Sequence, residues 1–303
     1  MQESDEAVVE LLRTLTDGRT RAGDGLLAGL IGRGIQSSRS PIMHEREAAR
    51  MGMRCSYVLI DFDCLGLSDD ALADVTAAAR QVGFHGLNVT HPFKQAVIPH
   101  LGVLSSEAAA IGAVNTIVFS GGLATGHNTD SWGFAESFRD GMEEAALGRI
   151  VQFGAGGAGA AVAHALMELG VGELAIIDSD HDRAVSLAER MDGPAPAGCR
   201  VRAETDVGRA LAEADGIVNA TPVGMAKYPG WPFAESFLKP DHWVAEIIYF
   251  PAETELLRRA RALGCRTLSG AGMAIGQAAK AFELFTGQRP DRAAMAGHFE
   301  AAG

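Results

Sequence analysis

A glycine-rich turn set between an apolar run and a small-residue segment constrains this chain more than any other feature. The stretch is Val151-Gln152-Phe153-Gly154-Ala155-Gly156-Gly157-Ala158-Gly159-Ala160-Ala161. Ile150 to Phe153 reads as a buried parallel strand, and about Ala158 to Leu169 as a helix closed by Gly170. This is G-x-G-x-x-G with a strand before it and a helix after it, the context in which the pattern holds a dinucleotide. The first glycine allows the tight turn, the second lets the backbone approach a pyrophosphate, and the third lets the helix lie close to the sheet. Free N–H groups and the positive end of the helix dipole then hold the diphosphate without a cationic side chain. Gly154, Ala155, Gly156, Gly157 and Ala158 are therefore candidate cofactor contacts.

The next apolar run, Glu173 to Ile177, ends in Asp178, 24 residues after Gly154. An acid about 20 residues beyond the loop is placed for a ribose 2′-hydroxyl. No Gly-Lys-Ser/Thr follows the loop, which excludes a Walker-type phosphate site.

The 303 residues suit about two domains. With 47% apolar and 21% charged residues the chain can bury a globular core. A net charge of −12 disfavours nucleic acid and anionic membranes as partners, while leaving a small anionic substrate open. Cys55, Cys64, Cys199 and Cys265 form no C-x-x-C pair and read as reduced core thiols of a cytoplasmic protein. The acidic N-terminus does not read as a signal peptide, and no apolar run approaches 18 residues. His44-Glu45 is followed by Ala48 where a zincin helix needs a second histidine, so no metal site is expected.

Taken in order, residues 1 to about 22 form a peripheral helix (Glu6 to Leu15) and a polar Asp17-to-Thr20 turn. Leu26 to Ile31 is a strand, and Pro41 opens a helix running to Met51. Cys55 to Asp61 is a strand, Asp69 to Val82 a helix and Gly86 to Val89 a third strand. Ser105 caps a helix ended by Gly112, Ala113 to Phe119 and Leu123 to His127 are strands, and Asn128 opens a helix to about Gly141. Beyond Ile150 strands and helices alternate, with strands at 150–153, 173–177, about 201–203, 216–219 and 243–247. That alternation specifies a parallel sheet with right-handed crossovers. Pro194 to Pro196 marks a loop, and helices at Thr254 to Leu263 and Met273 to Thr286 flank a last short strand, Cys265 to Leu268.

Open α/β sheets bind ligands at the carboxyl ends of their strands. Four expected strand exits in the first half carry short polar groups: Ser38 and Ser40; Asn88, Thr90 and Lys94; Asn115; Asn128 and Asp130. Such a ring of hydroxyls and amides is what a polyhydroxylated substrate requires, since each buried hydroxyl left unpaired costs about 1–3 kcal/mol. One lysine and one aspartate among them suit alcohol oxidation, in which a base takes the hydroxyl proton as hydride leaves. A lysine titrates near about 10.4, so a lysine base near neutrality needs a depressed pKa. Burial supplies that and a neighbouring carboxylate opposes it. The residues alone leave the winner open.

These motifs together resemble the shikimate/quinate dehydrogenase family, over about Leu27 to Thr286. The resemblance rests on Ser38-Arg39-Ser40-Pro41, Asn88-Val89-Thr90-His91-Pro92-Phe93-Lys94, Gly112 to Thr116 and Gly126 to Asp130. The glycine loop, Asn219-Ala220-Thr221-Pro222, Tyr249-Phe250-Pro251 and Gly270 to Gln277 complete it, in unbroken order. It implies an α/β protein with a Rossmann dinucleotide-binding domain, residues 131–270, and an α/β substrate domain, residues 1–130 joined by C-terminal helices 271–303, with a cleft between them. It implies Lys94 as catalytic acid/base with Asp130 as its partner, and Ser38, Ser40 and Tyr249 on the substrate carboxylate. Thr90, Asn115 and Gln277, with Asn88 nearby, would hold ring hydroxyls. Thr221, Pro222, Met225, Gly270 and Met273 would join the cofactor side, the two methionines either beside the nicotinamide or packed in the core.

The chain departs from the family's common pattern at Arg33-Gly34 and at Ser37. Asp178-Ser179-Asp180 stands where NADP-using members carry Asn-Arg-Thr/Ser, and a carboxylate there repels a 2′-phosphate, so NAD is the expected cofactor. Arg183 is expected to lie over the adenine or to pair with Asp178, as in NAD-preferring quinate/shikimate dehydrogenases. Ser40, where quinate-preferring relatives tend to have Thr, leans toward shikimate or toward both acids. Tyr228, Trp231 and Trp243 read as packing aromatics. Three alternatives remain: an aminoshikimate/aminoquinate dehydrogenase, a methyltransferase using S-adenosylmethionine, and a non-catalytic NAD-binding module. Gln152-Phe153 before the loop lacks the acid a methyltransferase commonly places there. The expected state is a monomer or homodimer.

Overall fold

The computed structural model describes residues 2–17, 19, 25–193, 195–196 and 198–301, with side chains from residue 6 onward. The expected Asp17-to-Thr20 turn and Pro194-to-Pro196 loop fall partly outside the described residues. The chain divides into two compact units, residues 1–129 with 278–303, and residues 130–277.

The first unit opens with α1 (Gln2–Thr16), β1 (Leu26–Gly32), α2 (Ser40–Arg50), β2 (Cys55–Asp61), α3 (Leu72–Val82) and β3 (Gly86–Val89). It continues through α4 (Phe93–Ala96), β4 (Val103–Leu104), α5 (Ser106–Ile111), β5 (Thr116–Ser120) and β6 (Leu123–His127). The sheet order is β2-β1-β3-β5-β6-β4, with β5 antiparallel to both neighbours. β1 is buried along its whole length, as its unbroken apolar run Leu-Leu-Ala-Gly-Leu-Ile-Gly requires of a strand covered on both faces. Ser105 caps α5 by accepting from Ala108 N–H, and Gly112 ends it in the left-handed region (φ 69°).

The strand expected at Ala113 to Phe119 begins only at Thr116. Residues 113–115 instead fill local needs: Val114 N–H donates to the Lys94 carbonyl at 2.7 Å, and the Ala113 carbonyl accepts from Asn128 Nδ2 at 2.9 Å. Because β5 is antiparallel, Asn115 sits at a strand entry, not an exit. The pairing Asn88↔Thr116 still brings it to the carboxyl end of β3.

α6 (Thr129–Gly141) leads into the second unit, which contains β7 (Arg149–Phe153), α7 (Gly157–Glu168), β8 (Glu173–Ile177), α8 (His181–Asp192) and β9 (Arg200–Ala203). α9 (Val207–Ala212), β10 (Gly216–Asn219), β11 (Trp243–Glu246), α10 (Glu255–Leu263), β12 (Arg266–Leu268) and α11 (Gly270–Thr286) follow. The sheet is parallel throughout, ordered β12-β11-β10-β7-β8-β9. That is the doubly wound dinucleotide order, whose direction reverses between β7 and β10. A Cβ on Gly270, at the start of α11, would lie 2.3 Å from the Ile247 carbonyl, so only glycine lets this helix start against the loop after β11.

α11 ends in the first unit, where the Phe285 ring lies 2.3 Å from a Cβ built on Gly86 of β3. Phe282 and Ala281 are fully buried in the same cluster. Burying a side chain as large as that of Phe282 stabilises the unit by about 1.5–3 kcal/mol. α12 (Arg292–Glu300), which falls within the expected C-terminal helices 271–303, packs on α2 and is capped by Asp291, whose side chain accepts from Ala293 and Ala294 N–H.

The thiols correct one expectation. All four cysteines are free, but only Cys265 is buried; Cys64 is exposed, and Cys55 and Cys199 are intermediate. Strand ends explain this: Cys55 opens β2 and Cys64 lies in the turn after it. Among the described residues no helix is long and apolar enough to cross a membrane.

Candidate active site

The first unit gathers its polar residues at the carboxyl ends of β1 and β3. Asp61, at the end of β2, is 1% exposed and anchors the loop after β1. Its carboxylate accepts from Gly34 N–H and Ile35 N–H at 3.0 Å each, from Gln36 Nε2 at 3.0 Å and from Asp63 N–H at 3.1 Å. Burial pushes its pKa up, and these donors together outweigh that and hold it below the ordinary value. Beyond this anchor the loop delivers half-buried Ser38, Arg39 and Ser40, with Ser38 Oγ accepting from Ser40 N–H at 3.2 Å.

Arg33, where the family pattern differs, bonds Asp63 and Asp69 at 2.6 Å and the Leu67 carbonyl at 2.9 Å, beside the Phe62 and Phe93 rings. Thr90 N–H donates to the Ile31 carbonyl, tying the Asn88-to-Lys94 motif to β1. Lys94 is half-buried on α4, one residue after the fully buried Phe93. Asn88, Asn115, Asn128 and Thr129 are each 1–5% exposed. Tyr57 hydroxyl donates to Asn88 Oδ1 at 2.7 Å, and Asn88 Nδ2 donates to Thr116 Oγ1 at 3.0 Å. Asn115 Oδ1 accepts from Thr129 N–H at 2.7 Å, and Asn115 Nδ2 donates to Thr129 Oγ1 at 2.9 Å.

In the second unit Gly154 turns with φ 103°, a conformation that favours glycine. A Cβ there would lie 2.6 Å from the Ala220 carbonyl, and one on Gly159 would lie 2.2 Å from the Gly154 carbonyl. Buried Gln152 holds this turn from beneath, its Nε2 donating to the Gly154 and Gly159 carbonyls at 2.9 Å each. The bare loop, the N-terminus of α7 and the neighbouring end of β10 make a cradle that fits a dinucleotide diphosphate. Asp178 stands at the lip: Oδ2 accepts from Ala155 N–H at 2.7 Å, and Oδ1 from Asp180 N–H at 3.0 Å. Of the two places expected for Arg183, over the adenine or paired with Asp178, the ion pair is not taken among the described residues. The Arg183 Nη2 lies 3.2 Å from a Cβ built on Gly156. From the first turn of α8 its long side chain reaches back across the glycine loop.

Asn219 and Thr221 knit the turn after β10. Asn219 Oδ1 accepts from Thr221 N–H and Oγ1 at 3.1 and 2.6 Å, and its Nδ2 donates to Glu246 Oε2 at 3.0 Å. Pro222, Met225, Tyr228, Tyr249 and Phe250 are exposed, so Tyr228 is not the packing aromatic expected of it. Trp243 is: 4% exposed, it meets Phe138 edge-on and donates to the Ala146 carbonyl. Met273 is buried on α11, and half-buried Gln277 bonds the Ala274 carbonyl at 3.1 Å. Asp130, the second residue of α6, is 5% exposed. Sequence reasoning missed Asp61, Gln152, Glu246 and Tyr57. The first three gave a signal, a polar side chain inside or ending an apolar strand.

Comparison with known proteins decides the family. A model of the shikimate dehydrogenase substrate-binding domain matches residues 30–117, and one of the shikimate 5′-dehydrogenase C-terminal domain matches residues 270–297. The chain is 54% identical to shikimate dehydrogenase (NADP(+)) of Streptomyces avermitilis, over 90% of this chain and 94% of that protein. It belongs to the shikimate dehydrogenase family. Another relative is the quinate/shikimate dehydrogenase (NAD(+)) of Corynebacterium glutamicum, 48% identical over 90% of this chain and 97% of that protein. Quinate dehydrogenase from Corynebacterium glutamicum, solved in complex with NAD, superimposes with a TM-score of 0.84 at 45% identity, covering 92% of this chain and all of that one. As a member of the shikimate dehydrogenase family, the chain is an NAD(P)-using oxidoreductase acting on a CH–OH group of shikimate or quinate.

Proposed function

We propose that this enzyme interconverts shikimate and 3-dehydroshikimate with NAD, and quinate and 3-dehydroquinate in addition, in the cytoplasm. Ser38, Ser40 and Tyr249 take the carboxylate, and Thr90, Asn115 and Gln277 the ring hydroxyls. Lys94, partnered by Asp130, takes the proton of the reacting hydroxyl, and the bound nicotinamide supplies the hydride acceptor. Lys94 is supported in this by its backbone, fixed where its carbonyl accepts from Val114 N–H.

The observation that carries the choice of NAD is Asp178, whose carboxylate lies at the lip of the glycine loop beside Ala155 N–H. A carboxylate there accepts from a free ribose 2′-hydroxyl and repels a 2′-phosphate. A second reading, NADP, is favoured by Arg183 against Gly156 and by the relative at 54% identity, named for NADP(+). Steady-state kinetics with both acids against both dinucleotides tests the proposal. A higher kcat/KM with NAD and turnover of both acids is expected; a preference for NADP overturns the cofactor choice.

A further inference from the structure

We propose that Tyr57 is a positioning residue which, through the Asn88 amide and the Thr116 hydroxyl, fixes the Asn115 amide that meets a ring hydroxyl of the substrate. The inference rests on reading Asn115 as a substrate contact. It follows from the direction of each hydrogen bond in a buried chain spanning β2, β3, β5 and the start of α6.

Two backbone groups set the polarity of the chain. The Thr129 N–H donates to Asn115 at 2.7 Å, so the atom it meets is the amide oxygen. The Asn115 carbonyl lies 3.4 Å from the Asn88 amide, so the atom it meets is the nitrogen. With Asn88 Nδ2 also donating to Thr116 Oγ1 at 3.0 Å, the Thr116 hydroxyl hydrogen goes to Asn115 Oδ1 at 3.1 Å, the nearer of its two acceptors, Thr129 Oγ1 lying at 3.3 Å. Asn115 Oδ1 also accepts from Thr129 Oγ1 at 3.2 Å. Asn88 then has both amide hydrogens spent inside the protein, and its oxygen is taken by the Tyr57 hydroxyl at 2.7 Å. Asn115 spends one amide hydrogen on Thr129 Oγ1 and retains the other.

Tyr57, Asn88, Asn115, Thr116 and Thr129 are each between 0 and 5% exposed, so water does not compete for these groups. Within this chain Asn88 acts through Asn115, and Asn115 presents a donor of fixed orientation that an oxygen of the polyol can accept. The Tyr57 ring is itself held, stacked on His44 with centroids 4.7 Å apart. Removing its hydroxyl leaves Asn88 Oδ1 without that donor. The Thr116 hydrogen then has a competing acceptor, and Asn115 Oδ1 loses one of its restraints. The same oxygen receives the backbone N–H that starts α6, whose next residue is Asp130, so the loosened amide reaches the reacting end of the substrate.

Tyr57→Phe in the full-length enzyme tests this by steady-state kinetics with shikimate, quinate and the preferred dinucleotide. The expected result is a fall of about tenfold in kcat/KM for the acid, carried mainly by KM, with the dinucleotide KM within about twofold of wild type. Thr116→Val cuts the same chain one link later. The double variant is expected to be no worse than the poorer single variant, while Thr116→Ser restores wild-type kinetics. Wild-type kinetics for Tyr57→Phe, equal loss for acid and dinucleotide, or additive losses in the double variant each overturn the inference. A wild-type protein that turns over neither acid removes the underlying reading and this inference with it. An active wild type with an indifferent Tyr57→Phe removes this inference alone.

Discussion

Arg39 lays its guanidinium over the ring of Phe299, 4.6 Å from the centroid, and its Nη1 donates to the Phe299 carbonyl at 3.1 Å. Residue 39 lies between the two serines proposed for the carboxylate, and residue 299 lies near the end of α12. A second tie holds α12 in place, because Asp291 N–H donates to buried Glu47 Oε1 at 2.7 Å. Arg39→Ala is expected to destabilise by about 1–2 kcal/mol and to raise the KM for the acid severalfold. Phe299 is itself 4% exposed, so Phe299→Ala also loses its own packing, and the double variant is expected to lose less than the sum of the two singles by the worth of the shared contact. Urea unfolding of the two single variants and the double variant measures this, and fully additive losses count against it.

Lys94→Ala is expected to lower kcat by about 10²–10⁴-fold, the usual worth of a positioned acid–base group, with dinucleotide affinity within twofold. Pre-steady-state hydride transfer together with dinucleotide titration by fluorescence separates the two effects. Retention of wild-type turnover removes Lys94 from the chemistry.

Asp178 has two jobs that a pair of substitutions separates. Asp178→Asn keeps an acceptor for Ala155 N–H but loses the negative charge, so it should improve NADP relative to NAD. Asp178→Ala loses the acceptor as well and should weaken both dinucleotides, NAD by about tenfold or more. An NAD/NADP ratio of kcat/KM unmoved by either change would remove the carboxylate from cofactor choice.

The parallel sheet was legible to within about a residue at each strand, because buried parallel strands are short apolar runs punctuated by Gly, Asp and Asn. Gly154, Gly159 and Asp178 announced the cradle for the same reason: each obeys a local steric or charge rule. What escaped depends on partners distant in sequence. Nothing local says that β5 runs antiparallel, so Asn115 was placed at the wrong end of its strand while still reaching the right edge. Tyr57 reads as an ordinary core aromatic, since its partner Asn88 is 31 residues away. Arg183 has many rotamers, and only the fold decides that it crosses Gly156 in place of pairing with Asp178.

Glu246 should make stability depend on pH in the direction opposite to most carboxylates. At the end of β11 it is 1% exposed, and burial raises its pKa to about 7 although Asn219, Thr254 and the Ile248 N–H all donate to it. The folded protein then holds a proton that the unfolded chain releases above about 4.5, so this stabilisation is present at low pH and is lost as pH rises toward about 7. Stability of wild type minus that of Glu246→Gln, followed by urea unfolding from pH 4.5 to 8, should fall across that window. A flat difference would mean that the carboxyl is ionised throughout.

His44 works the other way. Its ring is fully buried among Tyr57, Phe282 and Phe285, and neither ring nitrogen has a hydrogen-bond partner among the described residues. Burial alone lowers its pKa to about 3, so the folded protein keeps it neutral where the unfolded chain is protonated below about 6.5. The unfolded state binds the extra proton, and stability therefore falls as pH drops from 6.5 toward 3, by on the order of 4 kcal/mol over the whole range. His44→Phe keeps a ring of similar size against Tyr57, removes the titration and leaves no polar nitrogen unpaired. The variant should match or exceed wild type at pH 7.5 and gain on it steadily at lower pH. A constant gap between the two unfolding curves across pH 7.5 to 4 would show that the imidazole finds a way to charge inside the fold.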